Sequence, residues 1–148
     1  MTDQRVSYTL ESTLDTVNSA EETATKLANE AGFDDEEVMK IAMAVREAAV
    51  NAVLHGNAYD PNKRVNLSLE QNDRELVVTI SDEGRGLDPD EIPDPLAAEN
   101  LMKQSGRGIF LIRAFMDEVR FRKLEQGTEI TLIKRIPADE LGRQEAST

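Results

Sequence analysis

Glu47, Asn51 and His55 recur every four residues in the run Arg46-Glu47-Ala48-Ala49-Val50-Asn51-Ala52-Val53-Leu54-His55-Gly56-Asn57, whose other members are mostly small and apolar. A helix turns about 100° and rises about 1.5 Å per residue, so Glu47 and Asn51 project from one face with His55 partly rotated away. A carboxylate in that position can accept a proton as general base. An amide oxygen beside it can ligate a hard cation such as Mg2+, which takes a few oxygen donors and completes its shell with phosphate and water. The same spacing also fits a solvent-facing Glu and Asn, with the imidazole closing the helix at its negative end.

Two further groups carry chemistry. In Ile80-Ser81-Asp82-Glu83-Gly84-Arg85-Gly86-Leu87 a carboxylate closes a strand and two glycines follow at once. Asp82 can accept a hydrogen bond from an exocyclic amine such as that of adenine, and Gly84 and Gly86 let backbone approach a ligand closely. A tight Asp-Glu-Gly turn accounts for Gly84 equally well, but not for Gly86. In Ser105-Gly106-Arg107-Gly108-Ile109-Phe110 a glycine pair opens a helix, where free N–H groups and the Arg107 guanidinium suit a phosphate chain. An ordinary loop-to-helix junction is the plain alternative. Neither pair is a P-loop, because no Gly-Lys-Ser/Thr occurs, and neither completes a dinucleotide fingerprint.

The elements that must position these groups follow from periodicity. Val6-Ser7-Tyr8-Thr9-Leu10 alternates as a half-buried strand, and Leu14, Val17, Ala20, Ala24, Leu27, Ala28 and Ala31 mark a helix stopped by Gly32. The helix bearing Glu47 starts at Asp34 or Asp35, runs to about His55 and ends at Gly56-Asn57. Val65, Leu67 and Leu69 alternate with polar neighbours, Asn72-Asp73 turns the chain, and residues 75–81 return as the second strand of a hairpin. Residues 84–105, with Pro89, Pro93 and Pro95, form a long loop that reads as functional. A short helix from about Gly108 to Phe115 and a hairpin of residues 118–122 and 128–134 about Gln126-Gly127 complete the pattern. Hairpin-linked strands with separated helices predict an α+β two-layer sandwich with a mixed, mostly antiparallel sheet covered on one face.

With 148 residues the chain fits one domain over 1–148, its core about 6–135 and a polar tail over 138–148. The 29 acidic and 17 basic residues give a charge of −12, which repels a phosphate backbone and argues against direct nucleic-acid binding. The absence of cysteine removes disulfides, thiol nucleophiles and thiolate metal sites, and the absence of an N-terminal apolar run argues against a signal peptide or membrane span. A cytoplasmic location is the expectation.

The decisive observation is order: Glu-x-x-x-Asn, then Asp-x-Gly-x-Gly, then Gly-x-Gly, then Gly127-Thr128. This succession resembles the Bergerat-fold ATP-binding domain of histidine kinases, DNA gyrase and heat-shock chaperones. It is most similar to the anti-sigma-factor serine/threonine kinases of bacterial partner switching, through Glu47-Ala48, Asn51-Ala52, His55-Gly56 and Gly106-Arg107-Gly108-Ile109-Phe110-Leu111-Ile112, over roughly Val6 to Lys134. The resemblance implies ATP and Mg2+ as cofactors, Glu47 as catalytic base, Asn51 as Mg2+ ligand, and Asp82 as reader of the adenine amine. Gly84 and Gly86 would shape the adenine pocket, Gly106, Arg107 and Gly108 would surround the phosphates, and Thr128 would support Asp82 or its bound water. His55 is expected to close the helix. The loop from Leu87 to Ser105 would be a lid. The implied activity is transfer of the ATP γ-phosphoryl group to an anti-sigma factor antagonist by an anti-sigma factor that also holds a sigma factor, in a homodimer. The rival readings are a nucleotide-gated binding module that regulates a phosphatase or other signalling partner without phosphorylating it, and the catalytic domain of a histidine kinase. A single histidine and the lack of a dimerisation helix pair speak against the latter.

Overall fold

The computed structural model describes residues 4–58, 60–84 and 104–136, apart from the side chains of His55 and of residues 104–108. The expected lid, Gly86 and the polar tail lie outside the described residues.

The chain runs β1 (Gln4–Glu11), α1 (Leu14–Ala31), α2 (Asp35–Val50), a π-helical turn (Asn51–Gly56), β2 (Arg64–Gln71), β3 (Glu75–Ser81), α3 (Gln104–Phe115), β4 (Glu118–Lys123) and β5 (Thr128–Arg135). The five strands form one sheet in the order β1-β2-β3-β5-β4, with every neighbouring pair antiparallel. The fold is the expected α+β arrangement, with the helices on one face of an open sheet. Among the described residues no helix is long and apolar enough to cross a membrane.

Local chemistry sets the helix ends. Thr13 caps α1 by accepting the Thr16 N–H, and Gly32 leaves it at φ +94°, a conformation that costs glycine nothing. Asp34, the earlier of the two predicted caps, accepts the Glu37 N–H at 2.8 Å, and three acidic residues fill the first turn of α2. Burial then follows the period of each element. Val65, Leu67 and Leu69 of β2 alternate with Leu76, Val78 and Ile80 of β3 and with Ile130 and Leu132 of β5, in register as Leu67↔Ile80↔Ile130 and Leu69↔Val78↔Leu132. This apolar face packs on Val17, Ala20, Ala24 and Leu27 of α1, on Ile41, Val45, Ala48 and Ala49 of α2, and on Ile112 of α3. The opposite face pairs Ser7 with Ser68, Ser68 with Thr79 and Thr79 with Thr131, a polar surface suited to water.

Two boundaries differ from expectation. The helix bearing Glu47 does not run as one α-helix to His55. After Val50 it widens into a π-turn, closed by the Asn57 N–H on the Ala52 carbonyl at 2.9 Å. The extra residue re-aims everything after it, carrying Gly56 onto β3's end and Asn57 into the interior. The last helix starts at Gln104, not at Gly108. Gly106 thus falls among its first four residues, whose N–H groups have no intrahelical carbonyl, so glycine costs little there and the helix forms around it.

Candidate functional site

Asp82 is a nearly buried carboxylate held by backbone on two sides. It leaves β3 with 8% of its surface exposed. Its Oδ1 accepts the N–H of Gly84 at 3.0 Å and of Thr128 at 3.2 Å, while its own N–H donates to the Thr128 carbonyl at 3.0 Å. Burial raises its carboxyl above the ordinary aspartate range, opposed by the Gly84 and Thr128 N–H groups and by the positive charge of Lys63. The group is therefore a preset acceptor in a poorly hydrated setting, where a hydrogen bond to the charged form is strong.

Glycines make this possible on three sides. A Cβ on Gly56 would lie on the Asp82 carboxylate, and one on Gly84 would lie on the Gly56 carbonyl. Gly127, at φ +101°, would drive a Cβ into the Asp82 carbonyl. The π-turn, the segment after β3 and the β4–β5 turn thus meet with backbone in contact around one carboxylate. Thr128 meets Asp82 through its backbone N–H and carbonyl.

Glu47 and Asn51 lie on the same helix, further from Asp82. At about 1.5 Å per residue, Glu47 is about 13 Å back along the axis from Gly56, comparable to an extended nucleoside triphosphate. Both residues are half-buried. Among the described residues neither side chain has a hydrogen-bond or ion-pair partner, whereas neighbouring Arg46 is tied to Glu21 at 2.8 Å and Asn18 at 3.0 Å. A carboxylate and an amide oxygen thus stand together, uncommitted, on one helical face.

The structure accordingly gathers Asp82, Gly84 and Thr128 into one cluster and puts Glu47 and Asn51 on the helix that ends against it. Gly106, Arg107 and Gly108 lie at the start of α3; the side chain of Arg107, like Gly86 and the side chain of His55, is outside what is described. No group of three or more His, Cys, Asp or Glu gathers as a metal cage among the described residues.

Two residues of this site were not singled out from sequence. Gly56 reads there as a helix stop and as part of the family resemblance, with no role at the site, and Asn57 as its companion. Asn57 is fully buried. Its Nδ2 donates to Ser12 Oγ at 2.8 Å and to the Arg64 carbonyl at 3.0 Å, and its Oδ1 accepts the Glu83 N–H at 2.8 Å. The only signal for this in the sequence is a polar residue following an apolar helix.

Known proteins resemble this chain over much of its length. The histidine kinase-like ATPase domain matches residues 10–134. The anti-sigma F factor of Oceanobacillus iheyensis is 34% identical over 104 residues, which are 68% of this chain and 71% of that protein. The serine-protein kinase RsbW of Staphylococcus epidermidis is 37% identical over 120 residues, 75% of this chain and 72% of that protein. Among solved structures, the RsbU and RsbW domains of Rv1364c from Mycobacterium tuberculosis align with a TM-score of 0.62 at 22% identity, over 90% of this chain and 32% of that one. The mycobacterial sensor histidine kinase MprB aligns at 0.56 and 17% identity, over 89% of this chain and 97% of that one. At such identities the structural likeness speaks for the fold alone.

Proposed function

The chain belongs to the histidine kinase-like ATPase domain family, and from that premise we propose that it is an ATP-dependent serine/threonine kinase acting as an anti-sigma factor. It would bind a sigma factor and phosphorylate a serine or threonine of an anti-sigma factor antagonist. Support for this branch comes from relatives named anti-sigma F factor and serine-protein kinase RsbW.

The observation that carries the catalytic part is the uncommitted pair Glu47 and Asn51, on a helix whose far end abuts the buried Asp82. Asp82 would accept the adenine amine. The amide oxygen of Asn51 fits a hard cation, and the bound Mg2+ would supply neutralisation of charge developing on the phosphates. Glu47 would take the proton of the attacking hydroxyl, the role that phosphoryl transfer leaves to the protein besides positioning. Gly106, Arg107 and Gly108 at the start of α3 would meet the phosphates through free N–H groups and a guanidinium. A protein substrate is favoured by Met39 and Met43, which are 56% and 40% exposed and stand eight and four residues before Glu47, so that apolar contact surface leads along α2 to the proposed base.

The test is incubation with γ-labelled ATP, Mg2+ and a purified antagonist protein. Label passes to a serine or threonine of the antagonist with the wild type and not with Glu47→Ala. Equal transfer by Glu47→Ala overturns the assignment of the base. ATP binding without transfer to any partner turns the reading into a nucleotide-gated binding module.

A further inference from the structure

The residue that follows Asp82 is held on every side by groups outside the three glycine contacts. The Glu83 N–H donates to Asn57 Oδ1 at 2.8 Å, its carbonyl accepts Gln126 Nε2 at 3.1 Å, and its Oε1 accepts the Arg64 N–H at 2.7 Å. Of these partners only Asn57 is fully buried, and its polar atoms are committed throughout. The Asn57 N–H closes the π-turn on Ala52, its carbonyl accepts the Asp60 N–H, and its amide nitrogen ties Ser12 to Arg64. Ser12 Oγ passes the connection on by donating to the Lys63 carbonyl at 2.7 Å. One side chain thereby joins the β1–α1 junction, the start of β2, the π-turn and the end of β3.

We propose that Asn57 is a positioning residue for nucleobase selection, acting through the Glu83 N–H to fix the direction in which Asp82 presents its carboxylate. The proposal rests on the reading of Asp82 as the acceptor for an exocyclic amine, and it adds a residue that touches no part of the nucleotide. The physical reason is geometric. Asp82 is anchored by Thr128 on one side and by the turn to Gly84 on the other, and that turn passes through Glu83. Release of the Glu83 N–H frees the peptide plane between the two anchors, and the carboxylate loses its fixed aim. A hydrogen bond used to choose between ligands is sensitive to such misplacement, because its discrimination depends on the bond being well formed with the correct base and absent with the wrong one. The amide of Asn57 divides its work accordingly. Its oxygen serves Glu83, and its nitrogen serves Ser12 and Arg64, which lie away from Asp82 in the network.

The experiment compares dissociation constants for ATP and for purine riboside triphosphate, which lacks the exocyclic amine, by titration calorimetry on the full chain, with thermal melting recorded in parallel. The wild type prefers ATP, and Asn57→Ala reduces that preference by about tenfold, as expected for one misdirected hydrogen bond to a charged acceptor. Ser12→Ala, which removes a partner on the nitrogen side only, lowers the melting temperature and leaves the preference at its wild-type value. Asn57→Asp keeps an acceptor oxygen towards Glu83 and loses the donors, so it melts early yet retains the preference; it decides the matter if Asn57→Ala does not fold. An unchanged preference in Asn57→Ala, an equal loss in Ser12→Ala, or a lost preference in Asn57→Asp overturns the proposal and leaves Asn57 as a fold-stabilising residue. A wild type that binds neither nucleotide, or both equally, overturns the reading of Asp82 instead.

Discussion

The two ends of the helix that carries Glu47 are built on opposite principles. Around Gly56 the backbone of three segments closes on Asp82, whose Oδ1 is held by two backbone N–H groups, and no space remains for a methyl group. Around Glu47 and Asn51 the side chains are half-buried and, among the described residues, unpartnered. The first region is fixed in place before any ligand arrives. The second is incomplete without ligand, and its oxygens keep their capacity for a cation, a phosphate or a hydroxyl. Rigid recognition and open chemistry are thereby separated by about two and a half turns of one helix, which lets each be altered without rebuilding the other.

That separation can be broken by experiment. The largest effect is expected for Glu47→Gln, which lowers phosphoryl transfer by about 10²–10⁴-fold, the usual worth of a general base, while ATP affinity measured by calorimetry stays within about threefold of wild type. A parallel fall in affinity would show that the open end also holds the ground state. Next is Gly127→Ala, which combines a positive φ with a clash on the Asp82 carbonyl. It is expected to lose about 3 kcal/mol of stability, read from the urea midpoint at unchanged slope, whereas Asn51→Ala stays within about 0.5 kcal/mol and loses the Mg2+ dependence of nucleotide binding.

The third prediction uses pH. Because burial raises the folded carboxyl of Asp82 above its ordinary value of 3.8, the folded state holds the proton more tightly than the unfolded chain. Its contribution to stability is fully present below that ordinary value and is lost as pH rises through the raised one. The charged acceptor needed by an amine follows the opposite course and disappears as pH falls through the raised value. Stability and ATP affinity therefore move in opposite directions across this interval in the wild type, and the Asp82-dependent part of both trends, taken as the difference from Asp82→Asn, vanishes in that variant. The smallest effect, below about 1 kcal/mol in thermal melts, is expected for Arg46→Ala, whose pair with Glu21 is substantially exposed and distant from Asp82. It sets the floor against which the other changes are judged.

Much of this was legible in the chain because the signals are local. Asp34 and Gly32 declare helix ends through capping chemistry, and Val65, Leu67 and Leu69 declare a strand through period two. The order of the polar and glycine groups indicated the ATP-binding family. Hidden was whatever depends on meetings between distant segments. Strand β4 lies outside β5 at the sheet edge, a choice made by packing and not by the hairpin itself. The π-turn has no mark in the periodicity, since one surplus residue in a short apolar run looks like ordinary helix. Gly56 and Asn57 read as punctuation because their partners, Asp82 and Glu83, are 26 residues further along in each case. Helix α3 begins four residues before Gly108, because a glycine that reads as a boundary is simply tolerated in a first turn.

The wide turn at Asn51–Gly56 also acts as a ruler. It fixes how many residues separate the proposed base from the clamp on Glu83, so loss of one residue in this stretch would restore a regular helix and rotate Asn57 by about 100° out of its buried place. The Asn72-Asp73 hairpin turn, in contrast, can be lengthened at small entropic cost. Length variation in this chain should therefore be accepted at that hairpin and refused within the π-turn, where a deletion would cost nucleotide selection before it cost the fold.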